Sequence, residues 1–229
     1  MEKNSIALDG PAAAGKSTLA RRAAARFGLI YVDTGALYRC IGLYVLRKGI
    51  ESRDEASVTK LLPEISLEMR YDEDGIQRML LCGEDVTDDI RLPDVSKYAS
   101  DVSAMRPVRA FLLSMQREMA EKYDVIMDGR DIGTVVLPDA GLKVFMTACA
   151  SARARRRYEE LKAKNIITTL EDVEREMMER DKNDSERAAA PLKAADDSVM
   201  IDTSKLSLEE SFEALCDLIA ERVARTADL

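Results

Sequence analysis

The sequence predicts an α/β protein in which a parallel sheet is covered by helices on both faces. Three observations predict it. Short apolar runs recur along the chain, helical patterns separate them, and two of the runs end at Asp-Gly pairs, Asp9-Gly10 and Asp128-Gly129. The 229 residues suffice for one sizeable domain carrying a smaller insert.

The elements follow in order. Ser5–Leu8 is a short apolar strand, and Lys16–Phe27 reads as a helix with alanines and leucine on one side and arginines on the other. Leu29–Val32 is a second strand, followed by a helix from about Ala36 to Arg47 that Gly49 stops. The texture then changes. Leu67, Met69 and Tyr71 alternate, Asp72–Gly75 is a turn, Ile76–Leu81 returns, and a second turn at Cys82–Asp85 leads into Val86-Thr87. This pattern predicts a small antiparallel sheet inserted between Ser66 and Ile90. Pro107 opens a helix running to about Lys122. Strands at Asp124–Met127, Leu142–Thr147 and Val199–Ile201 complete a five-stranded sheet, with helices at Ser151–Lys164, Leu170–Arg187 and Leu208–Arg225.

Composition removes several function classes. Histidine is absent, which excludes a Ser-His triad, histidine metal sites and imidazole acid–base chemistry. A net charge of −8 argues against nucleic acid as a partner but leaves a small nucleotide open, because that responds to local charge. No apolar run is long enough to span a bilayer, so no membrane partner is expected. Met1–Ser5 enters the first strand at once, and the four cysteines (Cys40, Cys82, Cys149, Cys216) are scattered; both features point to a reduced, cytoplasmic setting.

The strongest motif is Gly10-Pro11-Ala12-Ala13-Ala14-Gly15-Lys16-Ser17, which fits GxxxxGK[ST] between a strand and a helix. Such a loop turns backbone N–H groups inward onto phosphate oxygens, and the helix N-terminus adds a favourable dipole. Lys16 is placed to reach the β- and γ-phosphates, and the Ser17 hydroxyl to bind Mg²⁺. Asp128 closes a strand where such proteins often set a metal-organising carboxylate; a plain turn aspartate is the alternative. A GTPase would need NKxD, and Asp181-Lys182-Asn183-Asp184 has those letters in the wrong order.

What remains is a phosphotransferase with a second site. Arg39, Arg109, Arg130, Arg180 and Arg187 fall near strand ends and helix starts, where they can hold an anionic acceptor. An acceptor phosphate is already anionic near neutral pH and needs no base, which suits a chain without histidine. A hydroxyl acceptor would require a carboxylate base, for which Asp33 or Asp131 would have to serve.

On these residues the chain resembles the bacterial cytidylate (CMP) kinases, a family of nucleoside monophosphate (NMP) kinases, along nearly its whole length. The segments that carry the resemblance are DGPAAAGKST at Asp9–Thr18, DTGALYR at Asp33–Arg39, GEDVTDDIR at Gly83–Arg91, DGRDIGTVV at Asp128–Val136, and the stretch Glu179–Thr203. The resemblance implies a three-layer P-loop NTPase fold with a five-stranded parallel sheet, an antiparallel β insert in the NMP-binding region and a short helical lid. It implies a single kinase domain over residues 1–229, with a core of about 1–50, 105–150 and 195–229, an insert of about 51–104 and a lid of about 151–190. ATP is then held by Gly10, Pro11, Ala12, Ala13, Ala14, Gly15, Lys16, Ser17 and Thr18. Thr34, Arg109, Asp131 and Arg187 surround the pyrimidine, with Ser100 close by, and Asp184 meets the sugar. Arg39, Arg130 and Arg180 fit the acceptor phosphate, and Arg153 and Arg157 resemble lid arginines that close over ATP. Lys16, Arg130, Arg180, Arg153 and Arg157 form the implied catalytic set.

The implied reaction transfers the ATP γ-phosphoryl group to CMP or dCMP, with Mg²⁺, in a cytoplasmic monomer. UMP/CMP or dTMP specificity, and an ATP-binding regulator, are the alternatives. The arginines and carboxylates also admit plainer readings, as solvated helix faces or as internal ion pairs. Two positions depart from the family pattern. Ala13 stands where glycine is frequent, which predicts a backbone conformation open to alanine, and Thr34 replaces serine beside the base.

Overall fold

The computed structural model describes residues 4–227, with side chains to residue 222. Residues 1–3, part of the Met1–Ser5 segment expected to enter the first strand at once, lie outside the described residues. The elements run β1 (Ser5–Asp9), α1 (Lys16–Phe27), β2 (Ile30–Asp33), α2 (Thr34–Arg47), α3 (Glu55–Leu61), β3 (Leu67–Tyr71), β4 (Gln77–Leu81) and β5 (Glu84–Asp85). They continue with α4 (Pro93–Ser103), α5 (Arg106–Lys122), β6 (Val125–Gly129), β7 (Leu142–Thr147), α6 (Ala150–Ala163), α7 (Leu170–Glu186), β8 (Val199–Asp202) and α8 (Leu208–Ala227). The main sheet has the order β2-β6-β1-β7-β8, and a second sheet has the order β3-β4-β5. The expected five-stranded parallel sheet and small antiparallel sheet are both present.

The described residues fold as two compact units, one of residues 4–31 and 123–227, the other of residues 32–122. In the first unit β1 lies between β6 and β7, in parallel register, with Leu8 beside Asp128 on one side and Val144 on the other. Ile6, Leu8, Ile126, Val144, Met146 and Ile201 form one sheet face against Leu19, Ala20 and Ala23 of α1 and Phe212, Leu215 and Ile219 of α8. Ala7, Val125 and Met127 alternate with these and are also fully buried, so the sheet reads as continuous apolar runs. A smaller cluster joins α6 to α7 through Ala154, Leu161, Val173 and Met177, with Ala13 of the phosphate loop packed on it.

The second unit has its own core. Leu37, Ile41 and Val45 of α2 pack with Val95 and Val102 of α4, Leu112 of α5 and Met79 and Leu81 of β4. Gly42 lets α2 and α4 meet at backbone distance: a Cβ there would stand 2.8 Å from the Ala99 nitrogen. Two details correct the sequence reading. Helix α2 begins at Thr34, two residues earlier than Ala36, because the Asp33 carboxylate accepts the Ala36 N–H and caps it. The second turn is tighter than Cys82–Asp85: Cys82 (φ 52°) and Gly83 (φ 85°) both take positive φ, the two-residue hairpin geometry, so β5 falls at Glu84–Asp85 rather than Val86-Thr87. Helices α3 and α4 were not expected.

Candidate active site

Strand β1 ends at Asp9, and the loop 10–15 carries three residues with positive φ: Gly10 (146°), Ala13 (56°) and Gly15 (95°). Such alternation turns successive N–H groups toward one concave face. Gly10 is obligatory, since a Cβ there would lie 1.9 Å from the Met146 carbonyl oxygen. The expectation for Ala13 is corrected: its backbone is left-handed, a conformation that costs alanine about 1 kcal/mol and that the loop's curvature imposes. Asp9 fixes the neighbouring segment, accepting the Ile132 N–H at 2.8 Å and the Gly133 N–H at 2.7 Å. Burial raises its pKa to about 6 against the pull of those two N–H groups.

Helix α1 opens at Lys16. The Lys16 ammonium is buried and donates to the Pro11 carbonyl at 2.9 Å, folding back onto its own loop. Asp128 Oδ1 lies 3.7 Å away. Burial, then the Arg130 guanidinium, lower the Lys16 pKa to about 8, only partly offset by Asp128 and Asp9. The next hydroxyl, Ser17 Oγ, donates to Asp128 Oδ2 at 2.5 Å. A hydroxyl and a carboxylate side by side are hard oxygen donors of the kind Mg²⁺ takes. Among the described residues no group of three or more cysteines, aspartates and glutamates is arranged to hold a metal. The Ser17–Asp128 pair offers one or two oxygens, which fits an ion whose remaining positions are filled by phosphates and water.

Around this corner the first unit gathers guanidiniums. Arg130 donates to Asp184 at 3.0 Å and to the Gly129 carbonyl at 3.0 Å. Burial opposes its charge, but Asp184 and Asp128 outweigh that and raise its pKa. Asp184 is held low in turn: burial pushes it up, and Arg130, Arg180 and Arg187 more than reverse this. Arg187 donates to Asp131 at 3.2 Å and to the Ala190 carbonyl at 2.7 Å. The internal pairing that the sequence allowed for Asp131 and Asp184 is thus present. Arg153 is buried rather than solvated; it donates to the Ala148 carbonyl at 2.9 Å, reaches the Ala12 carbonyl at 3.3 Å, and pairs with Asp181 at 2.7 Å. Arg157 stays half-exposed and pairs with Glu160.

Arg180 differs from these. Its Nε is buried without a hydrogen-bond partner, and desolvation together with Arg130 lowers its pKa. Arg180 as a whole is only partly buried and Asp184 and Asp181 offset part of the repulsion, but a dry Nε–H beside a second guanidinium is a place an anionic oxygen would satisfy.

The second unit holds the other predicted residues. Thr34 is buried at the first turn of α2. Arg39 donates to the Ile90 carbonyl at 3.0 Å and to Ser96 Oγ at 2.7 Å. Arg109 donates to the Ser103 carbonyl at 3.1 Å and lies over the Tyr38 ring at 5.4 Å. The buried Ser100 Oγ has no hydrogen-bond partner. Arg91, not singled out from sequence, donates to Asp33 at 2.7 Å and, against desolvation, keeps that carboxylate ionised below its ordinary pKa.

With this geometry established, similarity to known proteins decides the family. The family model described as Cytidylate kinase matches residues 6–221. The chain belongs to the cytidylate kinase family. A protein named Cytidylate kinase from Caldicellulosiruptor bescii is 47% identical over 95% of this chain and 96% of its own length. One of the same name from Caldicellulosiruptor saccharolyticus is 46% identical over the same shares. Among solved structures, an uncharacterized protein from Eubacterium ventriosum shares the fold with a TM-score of 0.55, at 14% identity, covering 96% of this chain and 99% of that one. No helix among the described residues of this cytidylate kinase family member is long and apolar enough to cross a membrane. Three residues of its site escaped the sequence reading. Asp9 carried a signal, since it precedes Gly10 at a strand end as Asp128 precedes Gly129; Arg91 closes the segment GEDVTDDIR but was given no role there; Gln77, whose amide meets the Asp33 backbone, carried none beyond that distant partner.

Proposed function

We propose that this chain is a cytidylate kinase: it transfers the γ-phosphoryl group of ATP to CMP or dCMP, giving ADP and CDP or dCDP. The observation that carries the reading is the dry, acceptor-less Arg180 Nε beside Arg130, in the unit that also holds Lys16 and the Gly10–Ser17 loop. Anionic oxygens satisfy that guanidinium and relieve its repulsion from Arg130. Lys16 leaves the Pro11 carbonyl for the donor phosphates, and the loop N–H groups orient them. Ser17, with Asp128 beside it, would hold Mg²⁺, which would supply charge neutralisation on the phosphates. Arg130, Arg153, Arg157 and Arg180 offset the charge of a loose transition state. In the first unit Asp131 and Arg187 take the base and Asp184 the sugar. In the second unit Thr34, Ser100 and Arg109 take the base and Arg39 the phosphate. A cytosine offers an amino donor, a ring-nitrogen acceptor and a carbonyl, and uracil leaves part of such a set unpaired. The protein acts as a cytoplasmic monomer in this reading.

Initial rates of ADP formation with CMP, dCMP, UMP and dTMP, with and without Mg²⁺, test the proposal. CMP and dCMP should stimulate ADP release strongly, UMP and dTMP weakly, and chelation of Mg²⁺ should stop turnover. Equal rates with UMP and CMP would sink the cytosine assignment, and no stimulation by any monophosphate would sink the kinase.

A further inference from the structure

Gln77, the first residue of β4, makes an unusual pair of contacts. Its Oε1 accepts the backbone N–H of Asp33 at 2.8 Å, and its Nε2 donates to the Asp33 carbonyl at 3.3 Å. A side-chain amide that engages both the N–H and the C=O of one residue does what a neighbouring strand would do. The clamp is oriented from behind, since Nε2 also lies 3.2 Å from Met79 Sδ, and Met79 is fully buried in the second core. Asp33 is gripped on its side chain too, by Ala36 N–H at 3.1 Å and Arg91 at 2.7 Å. The clamped C=O of Asp33 belongs to the same peptide plane as the Thr34 N–H, and that plane leads directly into Thr34.

We infer that Gln77 is a positioning residue for pyrimidine recognition: the inserted antiparallel sheet uses its amide to set the Asp33–Thr34 peptide and thereby aim Thr34. The inference rests on the proposed role of Thr34 in reading the base. It gives the small sheet a task in specificity, because through Gln77 that sheet hydrogen-bonds the backbone at the start of α2. Gln77 touches neither substrate nor reacting atoms and acts only through the peptide it holds.

Gln77→Leu keeps the side chain's size and removes both hydrogen bonds. Steady-state kinetics should show KM for CMP raised roughly tenfold and the preference for CMP over UMP narrowed, with KM for ATP and the melting temperature near wild type. In a Thr34→Ala background the same change should have little further effect on base preference, since the residue being aimed is gone. If Gln77→Leu does not yield folded protein, Gln77→Glu, which keeps only the accepting half of the clamp, should move KM for CMP and base preference the same way. Wild-type values for both quantities would overturn the inference, as would equal losses toward CMP and ATP or full additivity with Thr34→Ala. A wild-type chain that shows no preference for CMP would sink the proposed function itself and this inference with it.

Discussion

For single side chains in the phosphate corner, burial and neighbouring charge pull in opposite directions, and Lys16 shows the balance most clearly. Desolvation and Arg130 bring its pKa down to about 8, from an ordinary value of 10.5. The unfolded chain therefore takes up this proton near pH 10.5 and the folded chain only near pH 8. Between those values the unfolded state binds more protons, so stability rises with pH. At neutral pH the ammonium is charged in both states and its burial is a standing cost, which donor phosphates offset when they bind. Binding must then raise the Lys16 pKa, which makes it proton-coupled. At pH 8, calorimetry of ATP binding in two buffers of different ionisation enthalpy should register uptake of up to roughly half a proton. Lys16→Met should abolish the uptake and lower kcat by roughly 10²- to 10³-fold, while CMP binding stays within about twofold, as for an independent site. Unchanged proton uptake in the variant would assign the coupling to another group. This corner was legible in the sequence because its parts are contiguous: a loop that must present several N–H groups and one lysine to a phosphate needs a fixed spacing. Ala13 was misread because a left-handed alanine is set by the curvature of the loop, and residue type alone does not report curvature.

Elements show a different division between what the sequence reveals and what it hides. The antiparallel insert was visible as alternation, since Leu67, Met69 and Tyr71 pair with Leu81, Met79 and Gln77 across one hairpin. Helix α4 had its signals too, Pro93 at its start and Val95, Ala99 and Val102 at helical spacing, but it is short and directly follows the alternating stretch. What no local pattern discloses is why α2 carries a glycine in mid-helix. Gly42 has no turn to make; its place is decided by α4, whose Ala99 nitrogen a Cβ would approach to 2.8 Å. The glycine gives up about 1 kcal/mol of helix propensity for that approach. Valine at this position would have little propensity to gain and would meet rigid backbone rather than a movable side chain. Gly42→Val should destabilise the protein by about 2–3 kcal/mol, lowering the melting temperature by roughly 5–10 °C. An unchanged melting temperature would mean that α2 and α4 separate without loss, against the close packing of that core.

Over the whole molecule, the absence of histidine leaves few groups able to titrate near pH 6, and it turns the pH profile into a test of mechanism. Two groups stand out: the acceptor phosphate, whose second pKa is about 6, and, among the described residues, Asp9, raised to about 6 by burial. Their consequences differ. Asp9 is easier to protonate in the folded chain than at its ordinary value of 3.8, so between about 3.8 and 6 the folded state binds more protons. Its contribution to stability is complete below 3.8 and is lost as pH rises through 6, so acidification toward pH 5 does not unfold the protein through Asp9. Asp33 and Asp184 are shifted the other way. The stability they contribute is present above the ordinary carboxylate value of 3.8 and is lost only as pH falls below it. None of these three carboxylates unfolds the protein near pH 6, so a loss of activity there with a cooperative melt points to chemistry. If the acceptor must arrive as a dianion because no imidazole is there to deprotonate it, the acid limb of kcat/KM for CMP belongs to the acceptor. Replacing CMP with a phosphorothioate analogue of lower second pKa should then move the limb down by the difference between the two acceptors' own values, while a thermal melt at pH 5.5 stays cooperative. A limb that holds its position with both acceptors would belong to the enzyme, with Asp9 the first group to examine, and would refute an acceptor that supplies its own anionic nucleophile.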